Sequence, residues 1–129
     1  MGTKMTGEEK LGHGAAGVLL VEDDAVAARM TAAHLESVGL VARGVSSLAE
    51  ARVLLSRWRP ELVLLDIELP DGDGIELCRE LKNAEETADI PVMVLSGFDD
   101  KLSVISAFRA GAVDYLRKPY IREELLARV

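Results

Sequence analysis

The chain has 129 residues, a formal net charge of −7, 49% hydrophobic residues and 29% charged residues. These values predict one globular domain that can bury a core without disulfides or a structural metal. The apolar runs are too short for a membrane-spanning helix. The negative charge argues against nonspecific nucleic-acid binding by this segment, because neutralising phosphates needs clustered lysine and arginine. Cys78 is the only cysteine, so an intramolecular disulfide is excluded and we expect this side chain to pack in the core.

Residues 1–17 are polar and glycine-rich, and they are predicted to form a flexible N-terminal tail. They lack the apolar core of a signal peptide, so we expect a cytoplasmic location. Residues 18–129 are predicted to form one domain. The helical pattern that begins at Ile121 reaches Val129 without a capping residue or a glycine, so we expect the last helix to be truncated from a longer protein.

Five apolar segments are predicted to be strands, each followed by a helical pattern. The strands are predicted at 18–21, 40–45, 62–66, 90–95 and 112–116, and the helices at 25–38, 48–58, 75–82, 101–110 and 121–129. Strand–helix alternation of this kind predicts a parallel sheet with helices on both faces. The residues Ser47–Glu50 match a capping box at the start of the second helix.

Apolar residues at helical spacing predict which side of each helix faces the core. The sides predicted for the first, fourth and fifth helices consist, respectively, of Val26, Met30, Ala33, Leu35 and Val38; of Val104, Ile105 and Phe108; and of Ile121, Leu125 and Val129.

Polar side chains follow four of the predicted strands, at the point where each strand ends. They are Glu22 and Asp23 after the first, Asp66 at the end of the third, Ser96 after the fourth and Lys118 after the fifth. The unbroken apolar run before Asp66 is typical of a central strand that is buried on both faces. If these strands are neighbours, all five side chains meet at the carboxyl edge of the sheet, where ligands bind in open parallel sheets.

Three carboxylates held together in a partly dehydrated cleft need either raised pKa values or a divalent cation. Mg²⁺ fits best, because it takes one or two carboxylates and completes its shell with waters and phosphate oxygens. Lys118 and Ser96 are suited to an anion. The set therefore indicates a phosphoryl site in which Asp66 is the nucleophile that forms an aspartyl-phosphate.

The chain resembles the receiver domain of two-component response regulators over residues 18–129. Four motifs carry the resemblance: Val21-Glu22-Asp23-Asp24, Leu65-Asp66-Ile67-Glu68-Leu69-Pro70-Asp71-Gly72-Asp73-Gly74, Val94-Leu95-Ser96-Gly97, and Gly111-Ala112-Val113-Asp114-Tyr115-Leu116-Arg117-Lys118-Pro119. Ser96 lies thirty residues after Asp66, and Lys118 lies fifty-two residues after Asp66. The resemblance implies a flavodoxin-like (βα)5 fold, a doubly wound five-stranded parallel sheet with strand order 2-1-3-4-5.

The resemblance also implies the roles of the metal and phosphoryl groups. Asp66 would accept the phosphoryl group from a phosphohistidine of a sensor histidine kinase or a histidine phosphotransfer protein. Asp23 would bind Mg²⁺ directly, Glu22 would bind it through water, and the backbone carbonyl of Glu68 would complete the protein ligands. Lys118 would pair first with Asp66 and then with the phosphoryl group.

The same resemblance implies a switch. Ser96 would move toward the phosphoryl oxygens, Tyr115 would rotate inward, and the 101–129 surface would change to control a fused or separate output module, with a phosphorylation-dependent homodimer as one outcome. The bond between Lys118 and Pro119 is expected to be cis. Glu68 and Phe98 are expected to set the phosphoryl lifetime, with Phe98 obstructing the hydrolytic water and slowing self-dephosphorylation.

Glu22 and Ser96 stand where the family more often has Asp and Thr, and each keeps the required chemistry. The implied protein is a signalling domain that catalyses only its own phosphorylation and dephosphorylation, and is not otherwise an enzyme. The main alternative is a haloacid-dehalogenase-like Mg²⁺-dependent phosphatase with Asp66 as nucleophile. Against it, the chain has no room for a substrate cap, and Glu22 and Asp23 lie upstream of the nucleophile. A pure interaction module with a solvated acidic surface is the other alternative.

Overall fold

The computed structural model describes residues 16–97 and 101–129. Its main sheet has five strands: Gly17–Val21 (β1), Val41–Val45 (β2), Leu62–Asp66 (β3), Val92–Ser96 (β4) and Asp114–Arg117 (β5). All four pairings are parallel and the order is β2-β1-β3-β4-β5, which confirms the predicted flavodoxin-like topology. A two-residue antiparallel hairpin, Glu68–Leu69 with Gly72–Asp73, follows β3. We call residues 68–73 the site hairpin.

Five helices cover the sheet: Ala25–Glu36 (α1), Leu48–Leu55 (α2), Gly74–Asn83 (α3), Lys101–Arg109 (α4) and Arg122–Arg128 (α5). One hydrophobic cluster joins the sheet to α2, α3 and α4, and a second joins the opposite face to α1 and α5. Successive residues of β3 alternate between the two clusters: Val63 and Leu65 lie in the first and Leu64 in the second. Burial on both faces therefore explains the unbroken apolar run before Asp66.

Residues 1–15, which hold most of the predicted N-terminal tail, lie outside the described residues, whereas Gly17 is the first residue of β1. Asp99 and Asp100, which the sequence places where they can cap the fourth helix, also lie outside the described residues. Cys78 is fully buried on α3, as predicted. In the part of the chain that is described, no helix is both long enough and apolar enough to cross a membrane.

The predicted core side of α1 is wrong except for Leu35, which is buried as expected. Val26 and Met30 are 58% and 56% exposed, while Thr31 and Leu35 are buried and Ala28 packs beside them. These three contacting residues lie at helical spacing on the face opposite to Val26 and Met30. The other positions were missed because a threonine and an alanine, Thr31 and Ala28, take the inner positions beside Leu35, and small residues carry little hydrophobic signal.

The same error occurs on the last two helices. On α4, Ile105 and Phe108 are exposed and the buried residue is Ala107. On α5, Leu125 is buried as expected, but the neighbouring Ile121 and Val129 are exposed. Packing through Ala107 brings α4 close to the sheet and leaves its larger side chains in solvent.

The start of α2 differs from the predicted capping box in one contact. Ser47 is the N-cap, and its hydroxyl accepts a hydrogen bond from the Glu50 N–H at 3.1 Å. The Glu50 carboxylate does not return to the Ser47 N–H. It accepts from the backbone N–H and the hydroxyl of Ser46, at 2.7 and 2.9 Å. The helix start is therefore fixed by both serines.

A partly buried polar pair joins α1 to the segment after β5. The hydroxyl groups of Thr31 and Tyr120 are 2.6 Å apart, and Thr31 is buried. We expect Thr31→Val and Tyr120→Phe each to lower the free energy of unfolding by about 1–2 kcal/mol, because each leaves one hydroxyl without its partner. The double variant should lose no more than the worse single variant. Urea unfolding measures all three, and strictly additive losses would contradict a direct bond between the two groups.

Candidate functional site

The carboxyl edge of the sheet gathers the predicted site residues. Asp66 is the last residue of β3 and Ser96 the last of β4, while Glu22 and Lys118 directly follow β1 and β5. Glu22 and Asp66 are only 4% and 5% exposed, and Ser96 is buried at the adjoining strand end. The parallel order of the strands therefore brings these side chains to one place, as the sequence predicted.

Lys118 bridges the two buried carboxylates. Its Nζ lies 2.5 Å from Glu22 Oε1 and 2.9 Å from Asp66 Oδ2. Burial of the ammonium by itself would lower the pKa of Lys118, but the hydrogen bonds to Glu22 and Asp66 outweigh it, so that the pKa is raised above 10.5. The ammonium therefore stays charged at neutral pH. The peptide bond between Lys118 and Pro119 is cis, as expected.

The other oxygen of Asp66 is held by backbone. The N–H of Glu68 donates to Asp66 Oδ1 at 3.2 Å, while the Glu68 side chain is exposed. An open cleft above Asp66 is lined by Glu22, Asp23, Asp24, Asp66, Glu68, Leu69, Pro70 and Lys118. Each oxygen of the Asp66 carboxylate thus accepts a hydrogen bond, from Lys118 or from the Glu68 N–H, and the carboxylate borders a cleft that a ligand can enter.

A cation fits the acidic side of this cleft. Glu22, Asp23 and Asp66 each offer a carboxylate oxygen, and these oxygens lie within 4.8 Å of one another. Asp24 is committed elsewhere, because its Oδ1 caps α1 by accepting from the N–H groups of Val26 and Ala27. Three carboxylates facing one ammonium leave an excess of negative charge. All-oxygen donors with excess negative charge suit a hard divalent cation such as Mg²⁺.

The electrostatics of Glu22 reflect this excess. Burial disfavours its charged form, Asp66 adds to the effect, and Lys118 opposes both without reversing them, so the pKa of Glu22 is raised above 4.5. Stability from protonated Glu22 is fully present below that ordinary value and is lost as the pH rises through the raised pKa. Ionisation of Glu22 therefore makes the cation-free fold less stable.

We expect Glu22→Gln to raise the thermal midpoint by about 2–4 °C at pH 7.5 without divalent cations. The neutral amide removes one charge from the cleft and leaves Lys118 its bond to Asp66. The gain should shrink as the pH falls toward 4.5, the ordinary pKa of the group. Calorimetry across this pH range measures the effect, with Glu36→Gln on the exposed end of α1 as the control. A constant or absent gain would contradict the charge argument.

The remaining predicted residues are Ser96, at the end of the strand next to β3, together with Tyr115 and Phe98. The Ser96 carbonyl accepts from the Lys118 N–H at 2.7 Å, and Tyr115 packs, partly buried, against the cluster under α2–α4. Phe98, expected to affect the phosphoryl lifetime, lies outside the described residues.

Two residues of the site region have roles that the sequence did not predict. A Cβ on Gly74 would lie 2.1 Å from the carbonyl oxygen of Asp66, so only glycine lets α3 begin so close to β3. Asp71 caps α2, twenty-three residues upstream, by accepting from the N–H groups of Leu48 and Ala49. The Pro-Asp-Gly-Asp-Gly sequence of residues 70–74 is typical of a turn, and Asp73 caps α3 by accepting from the Ile75 N–H. Nothing in the sequence indicated the partner of Asp71.

The fold and the cleft place the chain in the class of doubly wound α/β domains with an acidic site at the carboxyl edge of the sheet. The family model described as the response regulator receiver domain matches residues 18–129. The chain therefore belongs to the response regulator receiver domain family, whose domains are phosphoacceptors in two-component systems.

Named relatives agree with this family. Over 112 residues the chain is 36% identical to the DNA-binding dual master transcriptional regulator RpaA of Synechocystis and 38% identical to the KDP operon transcriptional regulatory protein KdpE of Escherichia coli. These alignments cover 87% of this chain but only 46% and 48% of the two relatives, so the chain spans about half their length.

The chain is also similar to a solved receiver-domain structure. The receiver domain of the sensor histidine kinase PA1611 from Pseudomonas aeruginosa, with a magnesium ion coordinated in its active-site cleft, has a TM-score of 0.81 and 30% identity. The match covers 89% of this chain and 94% of that one.

Proposed function

We propose that Asp66 accepts the phosphoryl group, and that the donor is a phosphohistidine of a sensor histidine kinase or a histidine phosphotransfer protein. The observation that carries this proposal is the setting of the Asp66 carboxylate. It is buried at the floor of an open acidic cleft, with Lys118 Nζ at 2.9 Å from one oxygen and the Glu68 N–H at 3.2 Å from the other.

The chemistry is a single displacement at phosphorus. An Asp66 oxygen forms a bond to phosphorus as the phosphorus–nitrogen bond of the donor breaks, and the electron pair remains on the donor imidazole. Lys118, already 2.9 Å from Asp66, is placed to contact the transferred phosphoryl oxygens and to balance their charge. Protein catalysis here consists of positioning and charge neutralisation.

Magnesium is the proposed cofactor. Glu22, Asp23, Asp66 and the backbone carbonyl of Glu68 would hold it, Asp23 directly and Glu22 through water. When bound, the ion neutralises charge on the phosphoryl oxygens. The support from this chain is its cluster of three carboxylate oxygens within 4.8 Å of one another.

Phosphorylation adds about −1.5 to −2 charges and is proposed to bias the 101–129 surface through Ser96 and Tyr115. The exposed apolar side chains of this surface support a contact role: Leu102, Ile105, Phe108 and Val113 all face solvent. Glu68 and Phe98 are proposed to set the lifetime of the phosphoryl group. The surface would engage a fused or separate output module or a second copy of the chain.

The wider setting follows from the relatives. RpaA is named as a DNA-binding regulator, and this chain spans only about half of such proteins. We propose that residues 18–129 are the receiver portion of a longer cytoplasmic protein, and that any DNA contact belongs to an attached module. The domain would catalyse only its own phosphorylation and dephosphorylation.

Treatment with acetyl phosphate or beryllofluoride tests the proposal. With Mg²⁺ present, each reagent should shift the amide NMR signals of Asp66, Ser96 and Lys118, and EDTA should abolish the shifts. An unchanged spectrum would instead support a pure interaction module. Steady turnover of p-nitrophenyl phosphate would support the phosphatase that the family match argues against.

A further inference from the structure

The site hairpin is tied to α2 by one carboxylate. Asp71 Oδ1 accepts from the Leu48 N–H at 2.8 Å, and Asp71 Oδ2 accepts from the Ala49 N–H at 2.9 Å. Both donors belong to the first turn of α2, whose N–H groups have no partner within the helix. The two bonds therefore join the turn of the hairpin to a helix that is distant in sequence.

Packing brings the same two elements together. Gly72, at φ +151°, lies against the buried Leu48, and a Cβ on Gly72 would be 2.8 Å from Leu48 Cδ1. The other end of the hairpin is fixed to α3, since Asp73 accepts from the Ile75 N–H at 2.8 Å. The hairpin is thus held between α2 and α3 by one aspartate on each side.

Asp71 is not needed to supply α2 with an N-cap. Ser47 fills that position by accepting from the Glu50 N–H, and it leaves the N–H groups of Leu48 and Ala49 for Asp71. Those two bonds also lower the pKa of Asp71, the bond from Leu48 most, so the side chain stays ionised at neutral pH. The two hydrogen bonds to Asp71 are therefore charge-assisted at neutral pH.

We propose that Asp71 is a positioning residue for the phosphoacceptor site: by anchoring the hairpin to α2, it holds the backbone of Glu68 against Asp66. The N–H of Glu68 bonds Asp66 Oδ1, and its carbonyl is one of the groups assigned above to Mg²⁺. This inference rests on the proposed function. It makes Mg²⁺ affinity depend on a side chain that touches neither the ion nor the phosphoryl group.

Asp71→Ala tests the inference, with Ser47→Ala as the matched control. Both substitutions remove an acceptor from the start of α2, but only the first releases the hairpin. An NMR titration with MgCl₂ on the 129-residue chain gives the Kd, and thermal unfolding without Mg²⁺ gives the stability. We expect Asp71→Ala to weaken Mg²⁺ binding about tenfold, as loss of an outer-shell partner does, and to shift the Glu68 amide signal before any Mg²⁺ is added.

Ser47→Ala should lower the thermal midpoint by a similar amount and leave the Kd unchanged. Asp71→Asn keeps one acceptor oxygen and should give an intermediate Kd, which serves as the readout if Asp71→Ala does not fold. An unchanged Kd in the folded Asp71 variant, or an equal loss in Ser47→Ala, would overturn the inference. Failure of the proposed function would give a different result. Asp66→Asn would then take up phosphate, while Asp71→Ala would still weaken Mg²⁺ binding.

Discussion

Asp66→Asn should abolish phosphate uptake by the chain. Asparagine keeps the size of the side chain and one acceptor oxygen, but its neutral amide is not a nucleophile toward phosphorus. Lys118 keeps its contact with Glu22, so the fold should survive the change. Intact-mass spectrometry after incubation with acetyl phosphate and Mg²⁺ should detect a phosphorylated species for wild type and none for the variant.

Asp89→Asn is the matched control for this experiment. Asp89 is an exposed aspartate paired with Arg59, on the connection between α3 and β4. The same chemical change there should leave phosphate uptake at the wild-type level. Equal uptake by wild type and Asp66→Asn would contradict the assignment of the phosphoacceptor.

Gly74→Ala should be the most destabilising small substitution near the site. The new Cβ would lie 2.1 Å from the Asp66 carbonyl oxygen and 3.2 Å from Ile67 Cα. These are backbone atoms, so relief requires α3 to move away from β3. We expect a loss of about 3 kcal/mol or more in urea unfolding, above the gain of up to about 1 kcal/mol that alanine brings to a helix.

Gly44→Ala provides the comparison, because a Cβ there would meet only the Leu20 carbonyl oxygen at 3.9 Å, an ordinary contact. Its effect should stay within about 0.5–1 kcal/mol of wild type. A Gly74→Ala variant as stable as Gly44→Ala would show that α3 can shift at little cost, against the close approach described here.

The sheet could be predicted because burial on two faces leaves a direct mark on the sequence. Each of the runs before Glu22 and Asp66 is apolar without a break, and each becomes a central strand. The helix faces could not be predicted in the same way. Thr31 and Ala107 face the core while Met30 and Phe108 face solvent, because contact is decided by how closely a helix approaches the sheet.

The residues of the site could be predicted from the ends of the strands, but most of their hydrogen-bond partners could not. The resemblance implied a contact between Lys118 and Asp66, and the structure adds a shorter one between Lys118 and Glu22. The partners of Asp71 lie twenty-three and twenty-two residues upstream and are backbone groups, which carry no residue-specific signal. Such contacts depend on how separate strands, helices and turns are placed relative to one another, and sequence periodicity describes only one such element at a time.

The central claim is that the phosphoryl group is carried by the Asp66 carboxylate. Borohydride reduces an acyl phosphate to the alcohol, so reduction of the phosphorylated chain would convert its modified aspartate to homoserine. Tandem mass spectrometry of the resulting peptides locates that residue. We expect homoserine at position 66 only after treatment with phosphodonor and Mg²⁺. Homoserine at another position, or none in a chain that has taken up phosphate, would contradict the claim.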